Sequence, residues 1–209
     1  MIRAQELTRT FKGKNGTVTA VNRVTFHIRK GEVVGMIGEN GAGKTTTLRM
    51  IAGLLEPTSG TLEVMGEDIR NNARKARSRI GVLFGGETGL YDRLTARENL
   101  EYFARLYGIG RHESQERIRQ LAVQFGMKDF LDRKVGGFSK GMRQKVAIAR
   151  TLIHDPDLIL FDEPTTGLDI TSANIFRQLV RQLSREGKTI VFSSHIMEEV
   201  QMLCSSAIL

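Results

Sequence analysis

The eight residues Gly38-Glu39-Asn40-Gly41-Ala42-Gly43-Lys44-Thr45 constrain this 209-residue chain more than any other stretch. They fit the pattern G-x-x-x-x-G-K-[ST], directly after the apolar run Val33-Val34-Gly35-Met36-Ile37 and directly before a helix predicted over 45–52. A buried strand, a glycine-rich loop and a helix in that order make a βα unit of an α/β sheet. The loop backbone, from Gly38 through Glu39, Asn40, Gly41 and Ala42 to Gly43, can turn consecutive N–H groups toward one anion. The helix N-terminus adds the positive end of its dipole. In such a cradle Lys44 reaches the β- and γ-phosphates of a nucleotide, the Thr45 hydroxyl is placed to ligate Mg²⁺, and Thr46 offers a hydroxyl to the α-phosphate.

A second stretch supplies the acidic half of a site of this kind. Leu158-Ile159-Leu160-Phe161 reads as a buried strand, ends in Asp162-Glu163, and is followed by Pro164, which imposes a turn. Carboxylates at the C-terminal end of a strand lie where α/β sheets bind ligands. Asp162 is the expected Mg²⁺ partner, directly or through water, which leaves Glu163 free to orient and deprotonate an attacking water. Alone, the pair would mark only a turn; its weight comes from the phosphate loop. Gly137-Phe138-Ser139-Lys140-Gly141-Met142 sets a serine and a glycine at the start of a predicted helix, a second place with free N–H groups. Ser193-Ser194-His195 ends the next predicted strand, where an imidazole can meet a γ-phosphate.

Between these stretches the texture changes. Strands are predicted over 17–28, 33–37, 61–64, near 81–84, and over 158–161 and 189–193, with helices over 45–52, 170–185 and 196–203. The stretch 95–153 instead reads as three helices. Thr95-Ala96-Arg97-Glu98 has the form of a capping box, Ile118, Leu121, Ala122 and Phe125 share a helical face over 113–125, and Ser139 can cap the third helix. Asp169 is a plausible cap for the helix over 170–185. The net charge of +8 is confined to this middle part: residues 70–150 carry 18 basic against 8 acidic groups, and residues 151–209 carry 4 against 8. Cys204 is the single cysteine, so an internal disulfide and a cysteine-based zinc site are excluded and a reducing compartment is expected. No run approaches the ~18 apolar residues of a membrane span, and the N-terminus lacks the apolar core of a secretory signal. A cytoplasmic protein is expected, with any membrane role left to a partner.

This ordered set of motifs resembles the ATP-binding domain of ABC transporters over essentially the whole chain. In the family's terms residues 38–45 are similar to the Walker A loop, Phe138-Ser139-Lys140-Gly141-Met142 to the signature, residues 158–163 to Walker B, Gly167-Leu168-Asp169 to the D-loop, and His195 to the switch histidine. The resemblance implies an α/β P-loop NTPase core carrying an inserted helical subdomain over about 95–153, all within one domain spanning 1–209. It implies ATP and Mg²⁺ as cofactors, Lys44, Glu163 and His195 as the catalytic set, Thr45 and Asp162 as metal ligands, and Phe11, in a loop, against adenine. It also implies a head-to-tail dimer in which Ser139, Gly141 and Asp169 of one copy meet ATP held by the other.

Three departures from the family pattern stand out. The signature is Phe-Ser-Lys-Gly-Met rather than Leu-Ser-Gly-Gly-Gln, as in ABC-2 type exporters; Gly85-Gly86-Glu87 occupies the place of the usual glutamine; and the chain ends at Ala207-Ile208-Leu209 inside an expected strand, short of the family's closing strands. A narrower resemblance links residues 83–95, 136–145 and 193–200 to the ATP-binding subunits of bacterial sodium-extrusion ABC systems, the NatA type. It implies Na⁺ export through a separate ABC-2 type membrane subunit, with this chain on the inner face of the membrane, where Arg105, Arg111 and Arg117 could meet that subunit or anionic headgroups. Export of a drug, lipid or peptide is the nearest alternative. A nucleic-acid ATPase would carry a long coiled-coil insertion or a second ATPase domain, and the 95 residues from Lys44 to Ser139 leave room for neither, so no nucleic-acid partner is expected. A nucleotide-binding module without turnover has no need to retain Lys44, Asp162, Glu163 and His195 together.

Overall fold

A computed structural model describes residues 1–13, 16–84, 89–166 and 170–208. Two sheets organise them. The first is antiparallel, built from β1 (Ile2–Gly13), β2 (Gly16–Ile28), β4 (Ser59–Val64) and β5 (Glu67–Asp68) in the order β2-β1-β4-β5. The second is parallel, built from β3 (Val33–Ile37), β6 (Ile80–Leu83), β7 (Leu158–Asp162), β8 (Thr189–Ser194) and β9 (Ser206–Ile208) in the order β6-β7-β8-β3-β9. The helices are α1 (Lys44–Ile51), α2 (Ile69–Arg77), α3 (Ala96–Leu106), α4 (Arg111–Gln124), α5 (Lys140–Leu152), α6 (Ile170–Arg185) and α7 (Met197–Leu203).

The parallel sheet is covered on both faces, which is why its central strands are apolar without alternation. Every residue of β7 and β8 is buried. Successive side chains still point to opposite faces. Ile159, Phe161, Ile190 and Phe192 pack in one core with Leu100, Ile118, Val146 and Phe176, whereas Leu158, Leu160 and Val191 pack in another with Leu48, Ile51, Ile2 and Leu62. Helices α3, α4, α5 and α6 thus share a core with one face of the parallel sheet, and α1 lies between the other face and the antiparallel sheet.

Side-chain caps start α2, α3 and α5. Thr95 accepts from Glu98 N at 3.1 Å while the Glu98 carboxylate accepts from Thr95 N at 2.7 Å, completing the expected capping box of α3. Ser139 caps α5 by accepting from Met142 N at 3.3 Å. The expected cap Asp169 lies outside the described residues, as do Gly167 and the Gly85-Gly86-Glu87 stretch. Three of these elements have no counterpart in the reading above. β1 runs over Ile2–Gly13, β5 is a two-residue strand paired with β4, and α2, with the sequence IRNNARKAR, buries only Ile69 and Ala76 and is started by Asp68, which accepts from Arg70 N at 2.8 Å. Phe11, read as a loop residue, lies on β1 opposite Val18, with the Arg9 guanidinium 4.7 Å from its ring centre.

Candidate active site

The parallel order β7-β8-β3 sets the C-terminal ends of three strands side by side, and each end carries part of one constellation. From β3 the chain enters the glycine loop. Gly41 and Gly43 have φ of 91° and 87°, a region open to glycine, and a Cβ on Gly43 would sit 2.3 Å from the Ala20 carbonyl oxygen. The loop therefore packs against β2, and no side chain fits at Gly43. Lys44, the first residue of α1, turns back into the loop, where its buried ammonium donates to the carbonyls of Gly38 at 2.6 Å and Glu39 at 3.0 Å. A cavity of about 180 Å³ opens over it, lined by Asn40, Gly41, Ala42, Gly43, Lys44, Thr45, Thr46, Ala20 and Glu163.

β7 delivers the acidic pair. Asp162 is buried and accepts from the Thr45 hydroxyl at 2.8 Å and from the Ser193 hydroxyl at 2.6 Å. Burying a carboxylate is costly unless its lone pairs are occupied, and two hydroxyl donors do that here. Ser193 faces Asp162 in the β7–β8 register, so the contact follows from sheet pairing. The Ser193 hydroxyl oxygen also accepts from Glu163 N at 3.0 Å, so one buried serine holds both acidic residues.

Glu163 has φ of 49°, a left-handed conformation that costs a non-glycine residue of order 1 kcal/mol and persists where the surroundings over-determine it. Its carboxylate is 2.6 Å from His195 Nδ1, accepts from the Thr166 hydroxyl at 2.9 Å and lies 3.8 Å from the Lys44 ammonium. His195 stands just past the end of β8, its side chain half exposed. Behind the turn, Gln144 of α5 donates to the Pro164 carbonyl at 2.9 Å and ties that helix to the acidic strand end.

Lys44, Thr45, Asp162, Glu163 and His195, expected from sequence to share a site, are brought together. Phe11, Ser139 and Gly141 do not line the cavity over Lys44 within this chain, and Ser139 is exposed at the start of α5. Sequence reasoning missed Ser193, Thr166 and Gln144. The signal for Ser193 was its place at the end of β8, but its partner depends on which strand lies alongside.

The donor set can be tested against Mg²⁺. One hydroxyl and one carboxylate oxygen 2.8 Å apart are hard oxygen ligands suited to that ion, which keeps water and phosphate oxygens in its remaining positions. Among the described residues no group of three or more His, Cys, Asp or Glu is placed to hold a metal ion.

The site agrees with what the chain is similar to. The family model described as ABC transporter matches residues 21–166. The chain is 65% identical, over its full length and 85% of the relative's, to the ABC transporter ATP-binding protein NatA of Bacillus subtilis (strain 168). It is 37% identical over 98% of its length to the linearmycin resistance ATP-binding protein LnrL of the same organism, and 40% identical over 88% to the Nod factor export ATP-binding protein I of Burkholderia pseudomallei (strain 1710b). It spans 64% and 60% of those two relatives' lengths. In structure it superposes with a TM-score of 0.89, at 29% identity and over 97% of this chain and 91% of the other, on a dimeric ATP-binding cassette in a post-hydrolysis state bound to ADP and Pi. The α/β fold is that of the cassette, and the chain belongs to the ABC transporter family as one of its ATP-binding proteins, an ATPase.

Proposed function

We propose that the 38–46 loop holds the phosphates of Mg²⁺-bound ATP and that Glu163 is the base for hydrolysis. The observation that carries this reading is the placement of Glu163, with its carboxylate on the wall of the phosphate-sized cavity, 3.8 Å from Lys44 and 2.6 Å from His195. Lys44 and the N–H groups at the start of α1 bind and orient the phosphates, and Thr45 and Asp162 hold the metal. When bound, Mg²⁺ neutralises charge that develops on the phosphate oxygens. Glu163 takes a proton from the attacking water, and His195 orients that carboxylate through Nδ1 and leaves Nε2 for the γ-phosphate. Glu163→Gln is expected to lower turnover by about 100-fold or more with ATP binding intact. Wild-type turnover in that variant removes Glu163 as the base.

We further infer that the chain works as a head-to-tail dimer on an ABC-2 type membrane subunit at the inner face of the membrane and drives export, with Na⁺ as cargo. Ser139, exposed at the start of α5 and absent from the wall of its own cavity, can meet a γ-phosphate only from a second copy. Asp169 and Gly141 accompany it in that role. Phe11, half exposed on β1, would stack on adenine. No helix among the described residues is long and apolar enough to cross a membrane; in this reading a separate subunit carries the translocation path. The sodium reading rests on the motif resemblance over residues 83–95, 136–145 and 193–200, in keeping with the 65% identity to NatA. Inside-out vesicles carrying the chain with its membrane subunit should take up Na⁺ on addition of ATP; uptake of a drug, lipid or peptide without Na⁺ movement assigns another cargo.

A further inference from the structure

Beneath the strand ends that carry Glu163 and His195 lies a buried carboxylate with no place in the scheme above. Glu199, on α7, is 1% exposed. One of its oxygens accepts from the hydroxyls of Thr165 at 2.8 Å and Ser194 at 3.1 Å, and the other lies 3.5 Å from Arg177 Nη2 of α6. Thr165 and Ser194 are themselves buried. Each also adjoins the reacting groups. Thr165 stands two residues after Glu163 and next to Thr166, whose hydroxyl donates to the Glu163 carboxylate at 2.9 Å. Ser194 immediately precedes His195, and its hydroxyl oxygen accepts from Ile196 N at 3.0 Å, which sets the direction in which the chain leaves β8. A buried charge of this kind is weak evidence for stability as such, because burial of both ions costs about what their attraction returns. It is better suited to holding one geometry, since removal of the carboxylate leaves two buried hydroxyls without their acceptor.

We propose that Glu199 is a positioning residue for ATP hydrolysis: by clamping Thr165 and Ser194 to one carboxylate oxygen it sets the turn after Glu163 against the end of β8 and so fixes the Glu163–His195 contact. The proposal rests on the reading of Glu163 and His195 as reacting groups. Glu199 touches neither of them and acts only through the backbone on either side. The phosphate loop is held separately, by Lys44 on the Gly38 and Glu39 carbonyls and by the close packing of Gly43 on Ala20, so the clamp governs turnover and leaves nucleotide affinity alone.

The test compares the full chain with Glu199→Ala, Glu199→Gln and Thr165→Val, measuring Mg²⁺-ATPase kcat and KM, the affinity and stoichiometry of a fluorescent ATP analogue, and thermal unfolding. Misplacing a reacting group by about 1 Å costs up to ~100-fold in rate. Glu199→Ala is therefore expected to lower kcat by about 10- to 100-fold per nucleotide site, with analogue affinity within about twofold of wild type. Glu199→Gln keeps an oxygen for the two hydroxyls and should recover most of the loss. Thr165→Val, which keeps the side-chain shape and the carboxylate, should fall between them and supplies the measurement should Glu199→Ala fail to fold. Wild-type kcat per site in Glu199→Ala, or in Thr165→Val where the alanine variant does not fold, overturns the proposal. So does a loss of kcat in Glu199→Gln as deep as that in the alanine variant. Glu163→Gln, assayed alongside, separates the two layers: if it abolishes turnover while Glu199→Ala and Thr165→Val turn over like wild type, only the positioning role fails, and if it turns over like wild type, the reading of Glu163 fails first.

Discussion

Lowering the pH from 8 to 5 should destabilise this protein through one partly buried imidazole. His154 follows α5; its ring lies flat on Tyr107, with centroids 3.7 Å apart and planes 3° off parallel, and Nε2 is 3.1 Å from the Ile80 carbonyl oxygen. That carbonyl needs a donor, so Nε2 carries the proton and the buried Nδ1, which has no partner, is bare. Burial pushes the imidazole from an ordinary 6.5 down to about 4, with Arg117 and Lys188 adding to the effect and the Ile80 carbonyl and Asp155 opposing it. Above pH 6.5 His154 is neutral in both the folded and the unfolded chain and contributes no pH dependence. As the pH falls from 6.5 toward 4 the unfolded chain binds a proton that the folded chain does not, so stability is lost across that window. At about 1.4 kcal/mol per pH unit, softened near the upper end, the loss is about 2 kcal/mol at pH 5 and about 3 kcal/mol below pH 4. Urea unfolding of wild type and His154→Phe at pH 8 and pH 5 isolates this contribution from every other titrating group. Phenylalanine keeps the stack on Tyr107 and forfeits one hydrogen bond, so the variant should be about 1 kcal/mol less stable at pH 8. At pH 5 the order should reverse, with the variant more stable by about 1 kcal/mol. A difference between the two proteins that stays constant within about 0.5 kcal/mol from pH 8 to pH 5 would refute the buried neutral imidazole.

Further consequences can be checked separately. Ser193→Ala deprives the buried Asp162 carboxylate of its 2.6 Å donor and Glu163 N of its 3.0 Å acceptor, and should cost about 2 kcal/mol in urea unfolding; a change under about 0.5 kcal/mol would show that this serine is dispensable. Gly43→Ala forces a side chain onto a residue at φ 87° and to within 2.3 Å of the Ala20 carbonyl oxygen, so ATP affinity by calorimetry should fall about tenfold or more. Unchanged affinity would mean that β2 yields easily. Burial pushes the Cys204 thiol up to about 12, so at pH 8 the native chain should react with a thiol reagent about 100 times more slowly, or slower still, than the urea-unfolded chain. Equal rates would place that thiol in water.

The parts of the site that were legible in the sequence are those whose signal is local. The 38–45 loop could be read because a strand, a glycine turn and a lysine must follow one another to make a phosphate cradle, and residues 158–163 because a strand covered on both faces has to be apolar until the carboxylates begin. Ser139 and Thr95 were visible as caps for the same reason. β1 and α2 were not. The first thirteen residues carry no clean alternation, since the pairing of β1 with β2 is interrupted by register shifts. α2 has almost no apolar stripe, and its start depends on a single capping aspartate.

The contacts between distant residues are of another kind. Glu198 and Glu199 are neighbours in the first turn of α7 and read alike, yet Glu198 faces solvent while Glu199 is enclosed by residues up to 34 positions away. His195 could be named from its motif, but its 2.6 Å approach to Glu163 across 32 residues exists only because β8 lies between β7 and β3. Local chemistry thus decided that the chain would cradle phosphate and carry a strand ending in carboxylates, because those features need only neighbours in sequence. Which serine holds both carboxylates, which histidine meets Glu163 and which glutamate is buried beneath them was decided by strand order and register, because these set the distances between residues that the chain alone leaves far apart.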